Sequence, residues 1–225
     1  MDCKAELYCK QKDSTNCNDY CILNLQLNNV YRLSNVPARY QKDMQLVPDP
    51  CDRELFLYLK DFRTSVVDHV KQGHGLFLCS KNKGNGKTAW ACKILADYFK
   101  HVALANNLRC RGLFVSVPEF LQDLRKNMDS FDEDLLDFQN NIKRVDIVIW
   151  DDIGTENPSK WVREQLYTFI NHRESRGLCQ IFTSNLLLEE LDHEQYLGSR
   201  IVSRIKGQCK VIEFKGTDKR GDLSW

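Results

Sequence analysis

The sequence predicts an α/β protein with a five-stranded parallel sheet flanked by helices, preceded by a small cysteine-rich N-terminal module. Three observations lead to this prediction. Short apolar runs alternate with helical patterns from residue 75 onward, a glycine-rich loop follows the first run, and two aspartates end a later run. The predicted module spans residues 1–50 and the predicted domain spans residues 51–225.

The composition is that of a soluble globular protein. Of 225 residues, 42% are hydrophobic and 28% are charged. No run approaches the ~20 apolar residues of a membrane span. The charged start lacks the apolar segment of a secretory signal, so the cytoplasm is the expected location. A net charge of +1 is unlike the basic balance of a non-specific duplex binder, so any nucleic-acid contact is expected to be local or built by assembly.

Four of the ten cysteines lie within the first 21 residues. A reducing compartment disfavours disulfides, so this cluster favours a metal, which would explain how a short polar segment folds. The spacing is not a standard zinc pattern, Cys51 could replace the first ligand, and unligated thiols are the alternative. The expected zinc ligands are Cys3, Cys9, Cys17 and Cys21.

The elements of the domain follow a proline-marked break at residues 47–50. A helical pattern at 51–73 comes first. The predicted strands cover residues 75–79, 112–117, 145–150, 178–182 and 209–214. Helical patterns follow the first four strands, at residues 88–107, 117–141, from 158 onward, and 186–206. The apolar run at 145–150 is typical of a parallel strand buried on both faces.

The loop between the first strand and its helix has most of a phosphate-binding pattern, G-x-x-x-x-G-K-[ST]. Lys81 stands where that pattern has its first glycine. A left-handed residue there would cost ~1–2 kcal/mol, which is tolerable, or the turn adopts another geometry. The expected phosphate contacts come from Gly84, Asn85, Gly86 and Lys87, and Thr88 is expected to ligate Mg²⁺. A loop that binds nucleotide without turnover is the alternative.

Polar residues end two later strands. Asp151 and Asp152 follow the strand at 145–150, where a P-loop NTPase needs a carboxylate for Mg²⁺. Asn185 ends the next strand, where its amide could hold an attacking water, although Asn at a strand end is often only a turn residue. Arg200 and Arg204 share one helix face, as solvated charges or as phosphate neutralisers.

In this order and spacing, the motifs resemble a family. The segments "GNGKT", "VIWDDIGTENPSKWVREQLYTFINHR", "IFTSNL", "GSRIVSRI" and "DKR" look like those of AAA+ replicative helicase loaders of the DnaC/DnaI type, related to the initiator DnaA. The resemblance covers roughly residues 50–220, and "LSNVPARYQ" resembles the segment that enters this domain.

The resemblance implies a role for each matching residue. Lys87 and Thr88 match Walker A, Asp151 matches the Walker B magnesium carboxylate, and Asp152 matches the acid that polarises water. It also implies a sensor 1 residue, an arginine finger that reaches a neighbouring subunit's ATP, and a sensor 2 arginine, at Asn185, Arg204 and Arg220 respectively.

The resemblance further implies a helical insertion that holds single-stranded DNA within a spiral of subunits. The helices at 117–141 occupy its place, with Phe120, Arg125 and Lys126 as candidate contacts. Helical spacing with Leu121 and Leu124 equally suits Phe120 to a core position.

The implied function is a slow ATPase, stimulated by assembly or by single-stranded DNA, that binds the hexameric replicative helicase and helps place it on single-stranded DNA. The N-terminal module is the expected helicase-binding part, and self-assembly would use Arg204 in trans. Two alternatives are open: an IS21-type transposition helper ATPase, and a non-catalytic ATP-binding adaptor.

Overall fold

A single parallel sheet organises the protein. The computed structural model describes residues 3–4, 9, 14, 17–18, 20–42, 45–104, 111–127, 131–154 and 158–218. Its strands are β1 (Gly75–Cys79), β2 (Gly112–Ser116), β3 (Ile147–Asp151), β4 (Cys179–Ser184) and β5 (Cys209–Glu213). They lie in the order β2-β3-β4-β1-β5, and every neighbouring pair is parallel. The predicted five-stranded parallel sheet is therefore confirmed.

Helices cover both faces of this sheet. They are α1 (Ile22–Leu33), α2 (Arg53–Thr64), α3 (Val66–Gln72), α4 (Lys87–Leu104), α5 (Val117–Lys126), α6 (Glu133–Arg144), α7 (Lys160–Glu174), α8 (Leu188–Leu191) and α9 (Ser199–Gln208). Because side chains alternate along a strand, Leu76 and Leu78 enter one core, whereas Phe77 enters the other. Within the described part of the chain, no helix combines the length and apolarity needed to cross a bilayer.

The sheet order brings three strand ends together. β4 pairs with both β1 and β3, with Thr183 opposite Leu78 and Phe182 opposite Trp150. The loops that follow β1, β3 and β4 therefore leave the sheet side by side at its carboxyl edge. This is the edge at which open parallel sheets bind ligands.

Helix α1 lies within the predicted N-terminal module, yet it packs on α4. Leu27 and Val30 are each only 1% exposed, and the ring of Tyr31 meets Phe99 edge-on at 5.3 Å between centroids. These residues belong to the same apolar cluster as the sheet. From α1 onward the module thus shares the core of the domain, and a boundary at residue 50 stays a prediction.

The four leading cysteines do not form the expected zinc site. Cys3 and Cys9 pack against the α1–α4 side of the core, whereas Cys17 is exposed. Among the described residues, no group of three or more His, Cys, Asp or Glu side chains could hold a metal ion. The described structure does not bring the four thiols together, as tetrahedral zinc would require. The proposed substitute, Cys51, is exposed.

A buried arginine joins the elements around β3. Arg173 on α7 is fully buried and donates to the carbonyl oxygens of Ile142, Val145 and Cys179 at 2.6–2.9 Å. Burial lowers its pKa to about 9. Removing this side chain would leave several buried carbonyls without donors, so Arg173 is a structural tie between α6, α7 and β4.

Candidate nucleotide-binding site

The loop after β1 has the backbone of a phosphate cradle. Gly84 and Gly86 adopt left-handed conformations, with φ of 73° and 93°. Lys81 does not, since Asn35 and Asp152 are the non-glycine residues with positive φ in the described chain. The first position of this loop therefore has no need of glycine. The Lys81 ammonium instead lies 3.4 Å from the Glu190 carboxylate.

The loop folds around its own lysine. Lys87 is 6% exposed, and its ammonium donates to the carbonyl of Asn82 at 3.3 Å and to Asn85 Oδ1 at 3.2 Å. The Asn85 amide in turn donates to Ser80 Oγ at 2.6 Å. A cation at the amino end of the long helix α4 suits an anion, because the helix end adds its own positive potential.

A carboxylate faces the first turn of α4. Asp151 ends β3, and its Oδ1 accepts from the hydroxyls of Thr88 at 2.8 Å and Thr183 at 2.7 Å. Burial raises the pKa of the Asp151 carboxyl, and these two hydrogen bonds partly offset the rise. Oxygen ligands of this kind suit Mg²⁺, so the pair Thr88 and Asp151 fits the predicted metal site.

The residue after Asp151 is held in a strained turn. Asp152 has φ of 57°, a conformation that is uncommon for a residue with a side chain. Its N–H donates to Thr183 Oγ1 at 3.0 Å, and its Oδ1 accepts from the Asn185 amide at 3.0 Å. The structure thus places Asp152 beside Asn185, as expected if both act on one water.

Two further bonds fasten the same turn to β4. The Ile153 N–H donates to the Thr183 carbonyl at 2.9 Å, and the Ser184 hydroxyl donates to the Ile153 carbonyl at 2.8 Å. Residues 183–185 therefore hold residues 151–153 through five hydrogen bonds, three of which involve Thr183.

Residues after β5 cross the phosphate loop, and we call segment 214–218 the C-terminal strap. The backbone N–H groups of Lys215 and Gly216 each donate to Asp52 at 2.9 Å, while Asn82 donates to their carbonyls at 3.1–3.2 Å. Asp218 reaches Gly84 so closely that a Cβ there would lie 1.6 Å from its Oδ1. Arg220, the predicted sensor 2 residue, lies outside the described residues.

The two helix arginines lie elsewhere. Arg204 pairs with Glu174 at 3.5 Å, and the Arg200 guanidinium lies 4.2 Å from the centre of the Tyr167 ring. Hydrogen bonds from Arg204 and Arg200 lower the pKa of the Tyr167 phenol. Since Glu174 ends α7 and α9 leads directly into β5, Arg204 lies towards the edge where strands begin. The phosphate loop of the same chain follows β1 at the carboxyl edge.

The candidate DNA contacts separate into two kinds. Phe120 is 3% exposed, with its ring edge-on to Phe138 and Phe169. A stacking role for Phe120 does not fit the structure, because its ring is buried and so is not available to a base. Arg125 and Lys126 are exposed at the end of α5.

Sequence reasoning missed several residues of the site, including Thr183, Tyr167 and Asp52. Thr183 could have been found, because it is a polar residue near the end of the strand that leads to Asn185. The hydrogen bonds of Asp52 join residues 163 and 164 positions apart, so no local sequence pattern predicts them.

Comparisons with known proteins bear on this geometry. No family model matches the chain. The replicative helicase loader DnaI of Bacillus subtilis (strain 168) is 30% identical over an alignment of 188 residues that covers 77% of this chain. The chain resembles a DnaC/DnaI-type helicase loader. This confirms the resemblance predicted from the motifs. The chain spans 56% of the length of that DnaI.

Solved structures show the fold. A crystal structure of the DnaC helicase loader matches with a TM-score of 0.66 and 23% identity, covering 80% of this chain and 100% of that one. A crystal structure of DnaI matches with a TM-score of 0.60 and 23% identity, covering 83% of this chain and 95% of that one. AMPPCP-bound DnaA from Aquifex aeolicus matches with a TM-score of 0.58 and 18% identity, covering 75% of this chain and 48% of that one. The chain thus has the fold of these three solved structures.

Proposed function

We propose that the chain is an ATP-dependent loader that binds the replicative DNA helicase and helps place it on single-stranded DNA when replication begins. The observation that carries this proposal is the 30% identity to the DnaI loader across 188 residues. The phosphate loop, Asp151, Asp152 and Asn185 all lie at one edge of the sheet, which supports a nucleotide-driven activity.

ATP and Mg²⁺ are the proposed cofactors. The backbone of Gly84, Asn85 and Gly86 and the ammonium of Lys87 would hold the phosphates, and Thr88 with Asp151 would hold the metal. When bound, Mg²⁺ neutralises charge that develops on the phosphates. Arg220 remains a predicted contact to the nucleotide.

Hydrolysis is proposed to depend on two subunits. Asp152 and Asn185 are hydrogen-bonded to each other and would orient and polarise one water. Arg204 lies away from its own phosphate loop, which supports a role towards the ATP of a neighbouring copy. Such assembly would make turnover slow in the isolated chain.

The remaining partner contacts are proposals of the same kind. Residues 1–50 would bind the helicase, and the exposed Arg125 and Lys126 would contact the phosphates of single-stranded DNA. Cytoplasmic location follows from this function. The transposition helper and the non-catalytic adaptor become outcomes of the test below.

The test mixes the protein with the replicative helicase of its own genome and measures complex mass by light scattering. We expect a stable complex with ATP and Mg²⁺, and ATP hydrolysis that rises on adding single-stranded DNA. A complex with a transposase but not with the helicase would identify a transposition helper. A helicase complex without any hydrolysis would identify an adaptor.

The nucleotide arm of the test compares two lysines of one loop. Lys87→Ala should lower ATP affinity at least about 100-fold, because a buried hydrogen-bonded cation contacts the phosphates. Lys83→Ala, at an exposed position, is the matched control and should bind normally. Equal affinity of Lys87→Ala and wild type would refute the nucleotide site.

A further inference from the structure

Thr183 contacts both carboxylate residues of the candidate site through one oxygen. It is 1% exposed near the end of β4. Its hydroxyl donates to Asp151 Oδ1 at 2.7 Å and accepts from the Asp152 N–H at 3.0 Å. A hydroxyl has a single proton, and an N–H can only donate, so the direction of both bonds is fixed.

The bond to Asp152 restrains a backbone that would otherwise relax. A non-glycine residue at φ of 57° persists only where its surroundings hold it. Asp152 is held at its N–H by Thr183 and at its carboxylate by Asn185. Loss of the first bond would leave the N–H without this acceptor and free the turn to rotate.

The bond to Asp151 fixes the other carboxylate. Both hydroxyls that reach Asp151 meet the same oxygen, Oδ1. One hydroxyl belongs to Thr88, a predicted metal ligand on α4. The other belongs to Thr183 on β4. The adjacent hydroxyl of Ser184 cannot substitute for Thr183, because it donates to the Ile153 carbonyl.

We propose that Thr183 is a positioning residue for magnesium-dependent nucleotide hydrolysis, setting the orientation of the metal carboxylate Asp151 and of the water-polarising Asp152 together. This inference rests on the proposed function. Thr183 acts through these two residues and has no contact of its own with the nucleotide. It couples metal binding and water activation, because one hydroxyl serves both.

The test replaces the hydroxyl while keeping the shape of the side chain. Thr183→Val removes both hydrogen bonds, and Thr183→Ser restores the hydroxyl. Thr168→Val is the matched control, since Thr168 is exposed on α7 and donates to the Glu164 carbonyl of its own helix. Each variant is measured for affinity to a fluorescent ATP analogue without metal, for the Mg²⁺ concentration that gives half-maximal tightening, and for kcat and KM in the helicase complex with single-stranded DNA.

We expect Thr183→Val to bind metal-free analogue within about twofold of wild type, because the phosphate loop is unchanged. Its half-maximal Mg²⁺ concentration should rise about tenfold, as is typical when a group that orients a metal ligand is lost. Its kcat should fall about 100-fold with little change in KM, since misplacing reacting groups by about 1 Å costs that much. Thr183→Ser should recover most of both effects, and Thr168→Val should match wild type.

Two results would overturn the inference. One is a Thr183→Val protein with wild-type Mg²⁺ dependence and kcat. The other is a Thr183→Ser protein as impaired as Thr183→Val, because the defect would then come from packing. If Thr183→Val does not fold, Thr183→Cys, with a weak donor in the same place, must show the intermediate Mg²⁺ dependence. The metal arm needs no turnover, so failure of the whole ATPase proposal remains distinguishable from failure of Thr183.

Discussion

Two polar regions of the molecule are built in opposite ways. The carboxylate edge, consisting of Thr88, Asp151, Asp152, Thr183 and Asn185, forms one continuous hydrogen-bond network at 2.7–3.0 Å. The arginine surface, consisting of Tyr167, Glu174, Arg200 and Arg204, lies between α7 and α9. Its ion pair is longer, at 3.5 Å, and the Arg204 side chain is 41% exposed.

The difference shows which part of the site one chain can complete by itself. Part-buried hydrogen bonds fix the carboxylate edge before any ligand arrives, because leaving those groups unpaired would cost free energy. An exposed ion pair contributes little to stability, so the arginine surface is held loosely enough to exchange Glu174 for another anion. A second copy of the chain could supply that anion.

The largest effect should come from exchanging Arg204 between subunits. Arg204→Ala should bind ATP normally as a single chain yet hydrolyse it at least about 100-fold more slowly when assembled, since arginine fingers contribute 10³–10⁵ in well-studied NTPases. Mixing Arg204→Ala with Lys87→Ala should restore part of the activity, because each chain keeps the group that the other lacks. ATPase rates of the mixture against each variant measure this.

The control for that experiment is Arg176→Ala, which removes an exposed arginine next to α7 that contacts His172. Its assembled ATPase rate should equal that of wild type. A co-assembled mixture that stays inactive would mean that Arg204 acts within its own subunit or has no role in catalysis. The proposal that the arginine surface acts on a second copy would then be wrong.

A smaller effect is expected from Tyr167→Phe. The change removes the phenol oxygen that bonds Arg204 and Arg200 but keeps the ring beneath Arg200. We expect the assembled ATPase rate to fall about threefold, in line with the modest value of exposed polar contacts. ATP binding by the single chain should not change. A loss as large as that of Arg204→Ala would mean that this surface is as rigid as the carboxylate edge.

The smallest effect concerns the stability of the carboxylate edge. Because burial raises the Asp151 pKa above its unfolded value, the ionised carboxyl destabilises the metal-free fold at neutral pH. Asp151→Asn should therefore raise Tm without Mg²⁺ by on the order of 2 °C, which is under about 1 kcal/mol for a domain of this size. The gain in Tm should shrink as pH falls through the raised pKa of folded Asp151. It should vanish below the pKa of Asp151 in the unfolded chain, because the carboxyl is then protonated in both states.

Calorimetry of wild type and Asp151→Asn at neutral pH and near pH ~4 decides the point. A gain that is the same at both pH values would show that the carboxyl charge is not its source.

Local patterns in the sequence predicted the sheet and the phosphate loop well. Apolar, strand-length runs gave all five strands to within two residues. β1 to β4 leave a nearly continuous apolar signature because they are buried on both faces, whereas β5 lies at the sheet edge and is partly exposed. The meeting of Asp151, Asp152 and Asn185 also followed, since parallel strands end at one edge. Their roles in catalysis stay predictions.

Other features depend on tertiary contacts that no local pattern contains. Helix α1 buries Asn24 and Gln26 beside its apolar residues. These polar residues interrupt the apolar stripe from which an amphipathic helix is predicted. Helical spacing could not tell whether Phe120 faced solvent or core, and packing on Phe138 and Phe169 decided for core. The cluster of four cysteines in the first 21 residues suggested zinc, but metal binding requires the thiols to converge, and spacing did not establish that.

The C-terminal strap has a consequence for how the molecule folds. Its bonds to Asp52 join residues 163 and 164 positions apart, so they close a loop of nearly the whole domain. Closing so long a loop costs entropy that is recovered only after the sheet between the two ends has formed. We therefore expect the strap to dock late in folding. Asn82 gains its strap partners at the same moment, so a nascent chain would complete its phosphate loop only after its last strand is in place.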